Sequence, residues 1–131
     1  MRRAISTEDA PRAIGTYSQG VEANGFVFTS GQLGIDPRTG KLERGSFAQE
    51  ADRVLRNLQA VLEAGGSSLQ SVVKVTVYLT DLSNFPALNE VFAKHFAAEP
   101  PARSTVQVAA LPLGASVEIE AVAALERRGS E

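Results

Sequence analysis

One arginine and two glutamates near the end of the chain carry the chemistry that their spacing would allow. Arg103 follows Pro100-Pro101 and precedes one alternating run, and Glu118 and Glu120 stand inside a second. A guanidinium is a planar fork that takes a carboxylate through two parallel hydrogen bonds. Strand side chains change faces at every residue, so Glu118, Glu120 and Val122 share one face and Val117, Ile119, Ala121 and Ala123 the other. That places the two carboxylates about 7 Å apart. A carboxylate buried beside an arginine can stay ionised and accept a proton. Leu111-Pro112-Leu113-Gly114 separates the two runs and allows the chain to reverse, so the three charged groups could form one small-molecule site. Each also has an ordinary explanation: a surface arginine, and glutamates on a solvated strand face.

Other polar residues have the same two readings. Tyr17 in GTYSQG and Ser30 in TSGQ are hydroxyls at opposite ends of a hairpin sequence, each with glycine nearby and so open to a ligand. Local hydrogen bonding would explain either one. Gly31 ends the second hairpin strand with a residue that permits close backbone approach. Asn89 lies on a helix, where a polar residue commonly faces solvent. His95, near the C-terminus of that helix, is explained by the helix dipole and is given no catalytic role. Gly65-Gly66 is not a phosphate loop, because no Lys-Ser/Thr follows in the required spacing.

Composition narrows the classes. The 131 residues suit one domain, and the formal net charge of -2 argues against a nucleic-acid-binding surface. With no cysteine there is no thiol nucleophile, disulfide or thiolate metal site, and with one histidine no His-rich zinc site within a chain. No cofactor and no metal are expected. MRRAISTEDAP has no apolar run behind its arginines, and no stretch approaches a membrane span. A soluble, cytoplasmic protein with no membrane partner is expected.

The elements follow from periodicity. Residues 1–16 read as an irregular lead-in with a short strand near Ala4–Ser6. Tyr17–Glu22 and Phe26–Ser30 form a hairpin across Ala23-Asn24-Gly25, because Asn-Gly tolerates positive φ. Ser46 and Gln49 have capping-box spacing, and Phe47, Ala51, Val54, Leu55, Leu58, Val61 and Leu62 make a helical stripe ended by Gly65-Gly66. Val72–Leu79 is a strand, with Val73, Val75, Val77 and Leu79 facing one way. A second helix, with Pro86 in its first turn, buries Phe85, Leu88, Val91, Phe92 and Phe96. Strands near Thr105–Ala110 and Ser116–Leu125 follow, and Glu126–Glu131 is a polar tail. Two helices on one face of this mixed sheet give an α+β fold. The other face, with Val72, Thr76, Tyr78, Glu118 and Val122, is too apolar for water and too polar for a core, which predicts self-association.

Taken together, four segments resemble the RidA/YjgF family of small enamine/imine deaminases. They are AIGTYSQG at 13–20, FTSGQLGIDPRTG at 28–40, VVKVTVYLTDLSNFPALNEVF at 72–92 and PARSTVQVAALPLGASVEIEAVA at 101–123. The resemblance implies a chorismate-mutase-like α+β fold and a homotrimer with sites between neighbouring subunits. It implies a 2-imino or 2-enamino acid substrate, with Arg103 on its carboxylate and Glu118 handling water or a proton. Tyr17 would border the site from an adjacent subunit, and Ser30 and Gly31 would lie near the reacting nitrogen. Asn89 falls at a polar position, and Thr105 would orient water through its backbone carbonyl. Thr16 stands where the family commonly has proline, and Thr105 where it often has cysteine, which removes any thiol-based activity. The alternative within this fold is a non-catalytic small-carboxylate sensor or interaction module. A translation inhibitor or ribonuclease ranks third, given one histidine and an acidic balance.

Overall fold

The structure is a computed structural model that describes residues 1–96 and 98–126. Its strands are β1 (Arg2–Ile5), β2 (Gly20–Ala23), β3 (Phe26–Thr29), β4 (Val72–Leu79), β5 (Ala102–Gln107) and β6 (Val117–Ala124), and its helices are α1 (Phe47–Ala64) and α2 (Phe85–His95). The six strands form one mixed sheet in the order β1-β2-β3-β6-β4-β5. Only β4 and β5 run parallel; the other neighbours are antiparallel. The fold is therefore α+β, as the element pattern predicts.

Helix α1 begins where Ser46 Oγ accepts the Gln49 N–H at 3.1 Å. Its stripe of Val54, Leu55, Leu58, Val61 and Leu62 is fully buried. Side chains of this size contribute about 1.5–3 kcal/mol each on full burial. The helix ends in a Schellman motif, with the Gly66 N–H donating to Glu63 O at 3.1 Å and Ser67 N–H to Leu62 O at 2.8 Å. It packs across β6 and β3 and against α2. On β6 the alternation holds: Val117, Ile119, Ala121 and Ala123 are buried beneath the helices, while Glu118, Glu120 and Val122 look the other way. The β2–β3 turn has Asn24 at φ 52° and Gly25 at φ 85°, the positive values that Asn-Gly supplies cheaply.

Several boundaries differ from the sequence reading, each for a tertiary reason. β1 covers Arg2–Ile5 rather than a stretch near Ala4–Ser6, because its ladder with β2 starts at Arg2 opposite Ala23. Tyr17 lies before β2, outside the ladder. The buried Gln19 holds the lead-in there, accepting the Thr7 N–H at 2.7 Å and donating to the carbonyls of Ala10 and Pro11. A register shift between Val72 and Lys74 reverses the expected faces at the start of β4. Val72 is 8% exposed in the core and Val73 46% exposed, since a bulge inserts a residue and flips the side chains before it. β5 starts at Ala102 and ends at Gln107 instead of running Thr105–Ala110, because it pairs with Lys74–Leu79 of β4 immediately after the prolines.

Candidate active site

The parallel pairing of β5 with β4 fixes where Arg103 goes. Arg103 lies opposite Val75 and Thr105 opposite Val77, and both valines are buried under the helices. Arg103 and Thr105 therefore share the helical side of the sheet. Helix α2 supplies the seat. Its positions 85, 89 and 92 recur at i, i+4 and i+7, so Phe85, Asn89 and Phe92 share one stripe. The Arg103 guanidinium donates to Asn89 Oδ1 at 2.7 Å and lies 4.9 Å from the Phe92 ring centre and 5.2 Å from that of Phe85. These are cation–π distances. Partial burial lowers the Arg103 pKa from its ordinary value, yet an arginine remains charged throughout the working range. A cavity of about 560 Å³ opens beside it, with Asn89 and Arg103 as its polar wall and Phe92, Phe96, Pro100 and Pro101 as its apolar one. Thr105 Oγ1 is buried without a hydrogen-bond partner among the described residues.

Glu118 faces away from this cavity. Its neighbours on β6, Val117 and Ile119, are fully buried under the helices, so its own side chain projects from the opposite face. β4 also lies between β5 and β6. Within one chain Glu118 and Arg103 are therefore apart: the two run-bearing segments are not sheet neighbours, and their charged residues look to opposite sides. Glu118 is grouped instead with Gly31. A β-carbon added at Gly31 would lie 2.1 Å from Glu118 Oε2, so the carboxylate occupies the space a side chain would need. The loop carrying Gly31 is held from both sides. Gln32 exchanges backbone hydrogen bonds with Ile119 at 2.9 and 3.2 Å, and buried Asn57 donates to the carbonyls of Leu33 and Ile35 at 3.0 and 2.8 Å. Burial, and then the charge of Glu120, raises the Glu118 pKa above the usual carboxylate value.

Tyr17 and Ser30 belong to one end of the hairpin, not to opposite ends, because antiparallel pairing brings the start of the first strand to the close of the second. The Ser30 hydroxyl donates to Ser18 O at 2.6 Å, and its backbone N–H to Gln19 O at 2.9 Å. Tyr17 is exposed, and its hydroxyl accepts the Ile14 N–H at 3.3 Å. A second cavity, of about 620 Å³, borders Tyr17, Ser18 and Gln19 and shares no lining residue with the Arg103 cavity. His95 does more than face a helix dipole: its Nε2 is 2.7 Å from Asp52 Oδ1, tying α2 to α1. Sequence reasoning assigned Phe85 and Phe92 to the core and missed their service as the floor of Arg103, although their helical spacing with Asn89 carried the signal.

The chain thus combines a six-stranded α+β layer with two polar clusters, one cationic and one acidic. Residues 7–125 match the family described as Endoribonuclease L-PSP, and the chain belongs to that family, the RidA/YjgF family of the sequence resemblance. It is 50% identical over 124 residues to the Reactive Intermediate Deaminase A, chloroplastic, of Arabidopsis thaliana, covering 95% of this chain and 66% of that one. It is 47% identical over 123 residues to the human 2-iminobutanoate/2-iminopropanoate deaminase, covering 94% of this chain and 90% of the relative. The crystal structure of RidA from the Antarctic bacterium Psychrobacter sp. PAMC 21119 superposes with a TM-score of 0.90 at 50% identity, over 94% of this chain and 99% of that one. Among the described residues, no helix is long and apolar enough to cross a membrane, and no group of three acidic or histidine side chains could hold a metal ion.

Proposed function

We propose that this protein is an enamine/imine deaminase that hydrolyses 2-imino acids, formed from 2-aminoacrylate-type enamines, to 2-keto acids and ammonia. The observation that carries the reading is Arg103, held by Asn89 above two phenyl rings at the rim of a cavity. A fixed guanidinium in such a place is a carboxylate anchor. Relatives at 47% and 50% identity with deaminase names support the same reaction class.

The reaction needs positioning more than it needs a powerful nucleophile. Arg103 takes the carboxylate, which fixes the adjacent C=N carbon. Water adds to that carbon, the C=N π pair moves to the protonated nitrogen, and Glu118 accepts the proton released by water. Burial and the Glu120 charge raise its pKa, which makes it a better proton acceptor than an ordinary carboxylate. Glu118 returns that proton to the nitrogen of the tetrahedral carbinolamine, the C–N bond breaks, the hydroxyl proton passes to the departing ammonia, and C=O forms. Thr105 orients the water through its backbone carbonyl. Ser30, Gly31 and Tyr17 line the approach to the nitrogen. Orientation of this kind supplies much of the acceleration.

Because Arg103 and Glu118 look to opposite sides of one sheet, the complete site forms between copies, and we take the assembly to be a homotrimer. The open sheet face supports this: Phe26, Phe28 and Val106 are exposed on it beside Tyr78 and Val122. Copies paired through that face could set the Glu118 cluster of one against the Arg103 cavity of its neighbour. The substrate is small and amino-acid-derived, the setting cytoplasmic, and neither nucleic acid nor membrane is a partner.

A coupled assay tests the reading. A serine or threonine dehydratase makes the enamine in situ, and keto-acid release is followed with and without the protein. Acceleration that vanishes in Arg103→Ala is expected. Keto-acid binding without acceleration would replace the enzyme by a carboxylate sensor. Sedimentation equilibrium tests the assembly, with three copies expected and a Phe28→Asp variant expected to dissociate.

A further inference from the structure

The open face of the sheet holds a cluster that the reaction above leaves partly unused. β4 and β6 pair with Tyr78 directly opposite Glu118 and Thr76 opposite Glu120. Directly opposed side chains in an antiparallel pair approach to about 5 Å at their β-carbons, and diagonal ones remain within reach of a long aromatic side chain. Tyr78 therefore lies against both carboxylates. Its phenol is held in the protonated, donating form first by burial and then by Glu120 and Glu118 beside it. Glu118 is braced on its other side by Gly31. Lys74 is the one cation facing this group from the strands packed around it, and its Nζ donates to Ser104 Oγ at 2.8 Å. From β5 the facing residues are Ser104 and Val106, and from the β3 end Ser30 and Gly31, none of which titrates in the working range. The charged and titratable groups of the cluster are thus Glu118, Glu120, Tyr78 and Lys74.

We propose that Glu120 and Tyr78 are positioning residues for Glu118: Tyr78 holds the Glu120 carboxylate beside Glu118, and that neighbouring charge makes Glu118 a strong enough base to take the proton from water. The proposal rests on Glu118 being the proton acceptor of the deaminase reading. A carboxylate charge on the same strand face makes Glu118 readier to bind a proton. Here only Glu118 is pressed against backbone, at Gly31. Burial acts on Glu118 first and the Glu120 charge adds to it, and Tyr78, opposite Glu118, reaches Glu120 on the diagonal.

The experiment is the pH dependence of kcat/KM in the dehydratase-coupled assay for the wild type, Glu118→Gln, Glu120→Gln and Tyr78→Phe, joined to a carbon-13 NMR titration of the Glu118 side-chain carboxyl. Glu118→Gln is expected to lose about a hundredfold or more in kcat/KM and to lose the acid limb of the profile. Glu120→Gln is expected to lose part of its kcat/KM, less than Glu118→Gln loses, with both the acid limb and the Glu118 titration midpoint moved to lower pH. Tyr78→Phe should move both in the same direction by less. An unmoved Glu118 midpoint in Glu120→Gln, in a folded oligomer, overturns the proposal even if Glu118 proves essential. A Glu118→Gln variant as active as the wild type instead overturns the reading on which the proposal rests. The NMR arm needs no turnover, so it separates loss of tuning from loss of catalysis.

Discussion

Around Arg103 the charge is met within the chain. Asn89 accepts from its guanidinium at 2.7 Å, and two phenyl rings lie beneath its positive face. Around Glu118 the charge is unmet. Glu118 and Glu120 project together from one strand face, and neither joins an ion pair among the described residues. A finished cationic pocket and an acidic surface in need of a counterpart therefore occupy opposite faces of one sheet. The difference teaches that the side chains of the core and the unpaired carboxylates were placed apart. The helical face buries aliphatic side chains and leaves an edge where a guanidinium is held by an amide and two rings, while the open face keeps like charges close together.

The largest expected break in this comparison is Arg103→Ala. It removes the proposed carboxylate anchor, and kcat/KM in the coupled assay should fall by about a thousandfold while thermal unfolding changes little, since the side chain is a rim residue. Arg103→Lys should recover only a small part of the loss, because an ammonium lacks the fork. Next is Gly31→Ala on the acidic side. The new β-carbon would meet Glu118 Oε2 at 2.1 Å, so the carboxylate must move. A displacement of about 1 Å can cost about a hundredfold in rate, and the loss should appear in kcat rather than KM. Asn89→Ala is smaller. The guanidinium keeps its aromatic floor but loses its hydrogen bond, and KM should rise about tenfold with kcat nearly kept.

The smallest effect sharpens the comparison through stability. The Glu118 pKa is raised in the folded chain, by burial first and Glu120 second. The folded state then favours the protonated form, so the stability tied to this group is fully present below the unfolded-state pKa and lost as pH rises through the folded one. Glu118→Gln should therefore melt slightly higher than the wild type at neutral pH, and the two melting curves should converge in acid. Equal differences at both pH values would mean that Glu118 is not strained by its surroundings.

The helices were legible because their signals are local. Ser46, the apolar stripe from Phe47 to Leu62, and Gly65-Gly66 specify α1 by capping and period alone. The Asn24-Gly25 turn is equally local. β5 was misplaced because strand limits depend on a partner: the residues of β4 across the ladder decide where pairing starts, and no property of residues 102–107 announces it. The faces at Val72 and Val73 were misread for the same reason, since a bulge is an agreement between two strands. Arg103, Glu118, Tyr17, Ser30 and Asn89 were named from their own surroundings in the sequence and Thr105 from the family resemblance, but which of them a single chain brings together was not legible, because that is a property of sheet order.

By itself the sequence determined the elements, the apolar stripes that make the core, and the chemical types available: one histidine, no thiol, an arginine behind two prolines and a pair of glutamates on one strand face. Those follow from side-chain chemistry and from periods of 3.6 and 2.0 along the chain. Only the tertiary structure decided that β4 lies between β5 and β6, that Phe85, Asn89 and Phe92 form the seat of Arg103, and that Gly31 and Tyr78 bracket Glu118. The physical reason is that strand order and register are settled by burial across the whole sheet. Pairing β6 between β3 and β4 puts Val117, Ile119, Ala121 and Ala123 under α1, and the opposite direction of Glu118 and Glu120 follows from that burial.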